Sequence, residues 1–390
     1  MRFELPEELE MLRSVVREFA EAEAAPGAAG RDEEERFDRP LFAKLATLGL
    51  TGIPIPERYG GSGGGWLAYV IVLEELARVC ASTASALAAH TAFAVWPLYR
   101  YGSEPMREQW LRPYASGACL AGAGLLQRER GTGSAPNDRS LYAVDEDDEG
   151  IGLQGTHPFV VNAGEADAYL LFAPSRQSRR IYAAWVQRDA PGLAHGQRIN
   201  KLGLRSFAAG ELSLASCRVP INQTLGRDGR SREMLQSLAA VGNLSAAAQS
   251  VGVAQGALDA ASAYAKERKQ FGAPIGRQQS ILFKLADMSV AAEAARWLVY
   301  QAAWRLDEGS GGGREAALAR SYAAESAARA ALEAVQIMGG YGYMREFKLE
   351  RLLRDAKCLE TAIAIGGIEN ENRLLVQPTS SSKSKTQPKL

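Results

Sequence analysis

Two short stretches of this chain combine a cation, an aromatic ring and bare backbone, which is the chemistry of holding a nucleotide. The first is YAKERKQFGAPIGRQQ, residues 264–279. Arg268 follows Tyr264 by one turn, so a helix would carry both on one face. A guanidinium fork matches two anionic oxygens of a pyrophosphate. Phe271 offers a ring to a nucleotide base, and Gly272 and Pro274 are expected to end the helix. Gln278 and Gln279 bring two amides to the next helix. The second stretch is QIMGGYGY, residues 336–343. Beside Gln336, the glycines Gly339 and Gly340 let backbone N–H groups approach a phosphate or an adenine.

Other chemistries find little support. His90, His157 and His195 are isolated, with no nucleophile at a triad spacing, and are expected to serve packing or surface roles. Cys80, Cys119, Cys217 and Cys358 lie far apart, with no CxxC or Cys/His cluster for zinc, and read as free thiols of a reducing, cytoplasmic compartment. GGSGGG at 60–65 is no phosphate loop, because no Lys-Ser/Thr follows it. With 45 basic and 45 acidic residues, the chain has no electrostatic footprint for nucleic acid or an anionic membrane. No basic region followed by an apolar run marks a secretory signal. The uncharged stretch 234–257 holds amides, serines and glycines, so it reads as a helix buried in protein rather than in lipid.

The elements that must position these residues fall into three blocks. Residues 1–119 read as a helical domain, with an amphipathic helix from Glu7 to Glu23 and a Pro/Gly loop at 52–65. Residues 120–230 alternate short apolar runs (YLLFAP, IYAAWV, ELSLASCRVP) with turn residues, the signature of a small β domain. DEDDEG at 145–150 reads as a solvated loop. Residues 231–376 are helical and alanine-rich, as close-packed bundle helices require, with GSGGG at 309–313 as a connection. Residues 377–390 lack apolar anchors and read as a disordered tail.

The two nucleotide-type motifs, with PERYGGSGGG, YGSEPMREQWLRPYASG and KLGLRSFAAGELSLASCRVP, resemble the acyl-CoA dehydrogenase family over roughly residues 5–376. The resemblance implies an α+β multidomain fold: an N-terminal helical domain, a middle β-barrel or sandwich, and a C-terminal four-helix bundle. It implies FAD as cofactor, an acyl thioester of CoA or a carrier protein as substrate, and a homo- or hetero-oligomer. In the family, the residues matching Arg268, Phe271, Gln278, Gln279, Gln336, Gly339 and Gly340 hold the FAD of a neighbouring subunit.

The chain departs from the family's pattern elsewhere. The flavin loop matches RERGTGS, residues 128–134: Gly131, Gly133 and Ser134 persist, while Arg128 and Arg130 replace a threonine and a proline. Phe159 and Val161 stand at the Trp-x-Thr positions beside the flavin; Phe159 can stack, but Val161 has no side-chain donor. After RDAK, the glutamate that acts as the family's base corresponds to Gly366, or to Ile363 in a gapless reading. The base site that some members place on the buried helix is Gly242, with Asn243 next to it. Glu360, Glu369 and Glu371 are the nearby carboxylates. Three readings follow: an FAD-binding oxidoreductase with glycine at the usual base positions, a non-catalytic partner subunit that completes another chain's FAD site, or a flavin monooxygenase that needs no α-proton base.

Overall fold

The computed structural model describes residues 4–125, 140–144, 147–178, 180–226 and 230–361. The candidate residues Arg128, Arg130, Gly131, Gly133, Ser134, Ile363, Gly366, Glu369 and Glu371 lie outside them.

The N-terminal helices are α1 (Glu7–Phe19), α2 (Ala28–Glu33), α3 (Arg39–Thr47), α4 (Gly65–Ala77), α5 (Ala81–His90), α6 (Trp96–Tyr101), α7 (Glu104–Met106) and α8 (Arg112–Ala115). The helix expected from Glu7 to Glu23 widens into a π turn at Ala20–Ala24, and a second π turn, Thr91–Val95, follows α5. Helix α4 is buried almost all round, and its N-terminus is capped from the far end of the chain. Asp307 accepts the N–H groups of Trp66 at 2.6 Å and Leu67 at 3.0 Å, satisfying donors that a helix start leaves unpaired.

The middle segment forms a mixed sheet of β1 (Ala121–Gly124), β2 (Tyr142–Val144), β3 (Gly150–Val161), β4 (Ala168–Pro174), β5 (Ile181–Gln187), β6 (Leu193–Arg198), β7 (Ala209–Pro220) and β8 (Thr224–Leu225). The strand order is β6-β7-β3-β1-β4-β5-β8, with β2 also paired to β3. β1 meets β3 at Ala123–Val161, while β2 meets β3 at Leu153 and its neighbours. β1 also runs parallel to β4, and Ala143 of β2 bridges to Ser175 just beyond β4. β1 and β2 therefore lie on one line between β3 and β4, and just before β2 Ser140 bridges to Thr156 of β3. The apolar runs recognised in the sequence are β4, β5 and β7, and Trp185, Tyr169 and Phe172 of β4 and β5 are fully buried.

The C-terminal helices are α9 (Ser231–Glu267), α10 (Gln279–Asp307), α11 (Gly313–Met338), α12 (Gly340–Tyr343) and α13 (Leu349–Glu360), with a β9–β10 hairpin (Lys269–Gln270, Ala273–Pro274) between α9 and α10. Helix α11 turns a face of alanines (Ala316, Ala319, Ala323, Ala327, Ala330, Ala334) onto α9. Gly252 and Gly256 let α9 approach the end of α4: a Cβ at either would stand 2.2 Å from the carbonyl oxygen of Glu74 or Arg78. An alanine at either position is expected to cost about 1–3 kcal/mol through overpacking. The uncharged segment of α9 is buried in protein as expected, and no described helix is long and apolar enough to cross a membrane.

Candidate functional site

The nucleotide-type residues converge at one end of the helical bundle. Helix α9 stops at Glu267, earlier than the Gly272 and Pro274 stop expected from sequence, because the hairpin Lys269–Pro274 takes over. Arg268 is thus the cap residue rather than part of the helix: its N–H still reaches the Tyr264 carbonyl at 2.9 Å, while its backbone turns extended and its side chain is exposed. Phe271, at the hairpin tip, has φ 54° and is 95% exposed. A bulky side chain at positive φ stores strain, and a fully exposed ring gains nothing from its own chain. Both costs make sense if the ring meets something outside the subunit.

The second motif comes to the same place. Tyr264 and Tyr341 pack ring to ring at 6.3 Å, and Tyr341 meets Phe347 at 5.5 Å. Gly339 adopts φ 59° and ψ −135°, open essentially to glycine alone. A Cβ built at Gly339, Gly340 or Gly272 meets nothing within 4 Å, so these positions face open space. Gln279 and Gln336 are exposed and Gln278 partly so. An arginine, an unburied ring, amides and bare backbone on one surface fit the nucleotide half of FAD.

The two residues expected beside the flavin lie on β3. Val161 is buried, paired with Ala123 on one side and Ala209 on the other, and Phe159 is half-buried. One extra residue of β3 fits between the pairs His157–Leu212 and Val160–Gly210, a β-bulge at Pro158–Phe159. Proline is tolerated in a strand at such a bulge, and a bulge re-aims the side chains around it. Asn162 turns the strand end at φ 56° and donates to the carbonyls of Ala86 and Ala121 at 3.3 and 3.0 Å.

The residue on the buried helix matched to the family's alternative base, Gly242, cannot take a proton. Gly242 is buried in α9, and the Oδ1 of Asn243 accepts from the Arg320 guanidinium at 3.1 Å. Burial pushes the affinity of Arg320 for its proton down. Among the described residues the buried acids are Asp32, Glu74, Glu75 and Asp355. Each is already engaged: Asp32 by Arg354, Glu74 by Arg296 and Tyr300, Glu75 by Arg17, and Asp355 by the Leu204 N–H. Glu360 ends α13 exposed and paired with Lys357, so it is a surface carboxylate.

The comparisons with known proteins agree with this architecture. Residues 6–118 match the acyl-CoA dehydrogenase N-terminal domain and residues 232–373 the acyl-CoA dehydrogenase C-terminal domain. The probable acyl-CoA dehydrogenase YngJ of Bacillus subtilis is 40% identical over 92% of this chain and 95% of its own. The chain belongs to the acyl-CoA dehydrogenase family. Butyryl-CoA dehydrogenase from Megasphaera elsdenii superposes with a TM-score of 0.88 at 35% identity, covering 94% of this chain and 97% of that one. PigA, solved with FAD and proline, superposes with a TM-score of 0.86 at 25% identity, covering 94% and 96%. Within this acyl-CoA dehydrogenase fold, sequence reasoning gave His157 only a packing or surface role and passed over Asn162. Both act on backbone groups, which carry no residue-type signal.

Proposed function

We propose that this chain is an FAD-dependent oxidoreductase of acyl thioesters with glycine at the family's usual base positions. The cofactor is FAD. Arg268, Phe271, Gln336, Gly339 and Gly340 would hold its nucleotide half from a neighbouring subunit, and Phe159 and Val161 would wall the flavin of the subunit's own site. Bound FAD supplies a hydride acceptor. The chain's part is to seat and orient the thioester against Phe159 and Val161 and to keep water out. A short acyl chain is the substrate class favoured by the likeness to butyryl-CoA dehydrogenase.

The observation that carries this reading is the exposed, strained Phe271 beside Arg268 and the bare Gly339–Gly340 backbone, a surface built for a ligand of another subunit. Oligomer formation has a second support. Phe283, Val290, Trp297 and Trp304 recur every seven residues along α10, and all four are exposed. Such an apolar row on one helix face marks a protein interface.

Among the described residues every buried carboxylate already has a partner, which favours a second reading, a partner subunit that lends its exposed motif to a homologue carrying the base. The flavin-to-chain ratio of the chain purified alone, with turnover of butyryl-CoA and an artificial electron acceptor, separates the two. A ratio near one with turnover supports the oxidoreductase. A ratio near zero, restored by a homologous chain, supports the partner subunit and sinks the stand-alone enzyme.

A further inference from the structure

We infer that His157 is the positioning residue of the flavin wall, a buried clamp that joins the end of β1 to the bulge carrying Phe159. The inference rests on the reading of Phe159 and Val161 as that wall.

Described polar backbone flanks the step from β1 to β2. The carbonyl of Leu125 follows β1, and the N–H of Leu141, just before β2, is taken by the Thr156 carbonyl at 3.0 Å. Leu125 is 1% exposed, so water cannot satisfy its oxygen cheaply. The imidazole of His157 satisfies it: Nε2–H donates to the Leu125 carbonyl at 2.7 Å. Its other nitrogen, Nδ1, accepts the N–H of Phe159 at 3.3 Å, a donor that the bulge has removed from the ladder. One ring thus holds the end of β1 and the backbone of Phe159 together.

Both partners have fixed roles, since a carbonyl only accepts and an N–H only donates. They therefore impose the neutral Nε2–H tautomer. Burial alone favours the same form, pushing the ring down to about 4. Gly124 independently marks the seat as built for a ring. A Cβ there would stand 2.9 Å from Cδ2 and 3.0 Å from Nε2 of His157, and 2.9 Å from Cδ2 of Leu171, although the backbone conformation of Gly124 is one any residue adopts. The bare position makes room for the imidazole.

The test uses the full chain stripped of flavin and titrated with FAD, reading affinity and the shape of the visible flavin band. His157→Asn keeps an acceptor near Nδ1 and loses the donor to Leu125. His157→Gln keeps the donor and loses the acceptor for Phe159. Each is expected to bind FAD about tenfold more weakly, the effect of one lost hydrogen bond to buried backbone, with an altered band. Gly124→Ala, which removes no polar group, is expected to do the same by displacing the ring. His195→Asn, on another strand, is expected to match the wild type. Folded Gly124→Ala and His157 variants with wild-type affinity and band overturn the inference alone. A wild-type chain that takes up no flavin, alone or with a homologous chain, overturns the proposed function as well. If the His157 variants do not fold, Gly124→Ala decides the matter.

Discussion

Asp355 accepts the backbone N–H of Leu204 at 2.6 Å from inside the protein, and this contact ties the RDAK motif of α13 to the loop entering β7. Leu204 has φ 51°, a conformation that leucine rarely adopts. Its neighbour Gly203 lies so close to α13 that a Cβ there would sit 2.3 Å from the Arg354 carbonyl. Arg354 in turn grips Asp32 of α2, so one turn of α13 joins all three blocks of the chain.

Replacing Asp355 with alanine is therefore expected to destabilise the fold by about 2–3 kcal/mol, since a hydrogen bond to a buried charged group is lost and a buried N–H is left unpaired. Urea unfolding measures it. A change below about 0.5 kcal/mol, the range of ordinary surface substitutions, would show that the contact does not hold α13 in place.

Stability should fall on mild acidification because of two rings. His90 takes the Ala121 N–H on Nδ1 and donates Nε2–H to the Tyr114 carbonyl, both at 2.9 Å, and burial pushes it down to about 4, as it does His157. Between about pH 6.5 and pH 4 the unfolded chain binds these protons and the folded chain does not, so each ring removes up to about 3 kcal/mol. Asp355, pushed up to about 6 by burial, works the other way: the folded chain takes its proton first, which gains stability as pH falls from 6 towards 4. The net expectation is a loss of about 3 kcal/mol over that window. Comparing urea midpoints at pH 7 and pH 4.5 in wild type and His90→Gln checks it, and a variant with an undiminished pH slope would remove His90 from the explanation.

Phe271 should show a trade between stability and binding. Phe271→Gly relieves the positive φ and gives up no packing, so it is expected to raise stability by up to about 1 kcal/mol while weakening FAD retention in the oligomer by about tenfold. Differential scanning calorimetry with and without FAD reads both effects. A glycine variant that keeps its flavin as the wild type does would mean that the exposed ring serves some other purpose.

A carboxylate restored on α9 tests the missing base directly. Gly242→Glu places an acid one residue from Asn243, whose Arg320 partner provides a nearby cation. The expected outcome is a rise of about 100-fold or more in dehydrogenation of a short acyl thioester, the usual contribution of a positioned general base. A correctly folded variant with unchanged turnover would place the limit elsewhere than proton removal.

The row on α10 should behave as an interface. Val290→Glu and Trp304→Glu each put a charge into the apolar face and are expected to lower the assembly state in sedimentation velocity without unfolding the subunit, because both positions are more than half exposed in the single chain. Unchanged sedimentation of both variants would move the subunit contact to another surface.

The α, β, α order of the chain, its alanine-faced bundle helices and its nucleotide-type motifs were all legible in the sequence. Periodicity, turn residues and the rare pairing of arginine, phenylalanine and double glycine are local properties of neighbouring residues. The replacements at Phe159, Val161 and Gly242 were legible for the same reason: a side chain's donors and acceptors belong to its residue type. Tertiary structure alone decided that residues 264–279 and 336–343 meet, through Tyr264 and Tyr341, because helices α10 and α11 must first fold back on α9. It also decided the end of α9, where the short hairpin competed successfully for residues 268–274. The role of His157 could not be read in advance. Its partners are the backbone of Leu125 and Phe159, and every residue carries the same amide and carbonyl, so what singles them out is burial and the β-bulge. The buried acids were hidden in the same way: Glu74, Glu75 and Asp355 read as ordinary charges until packing took them out of water and gave each its partner.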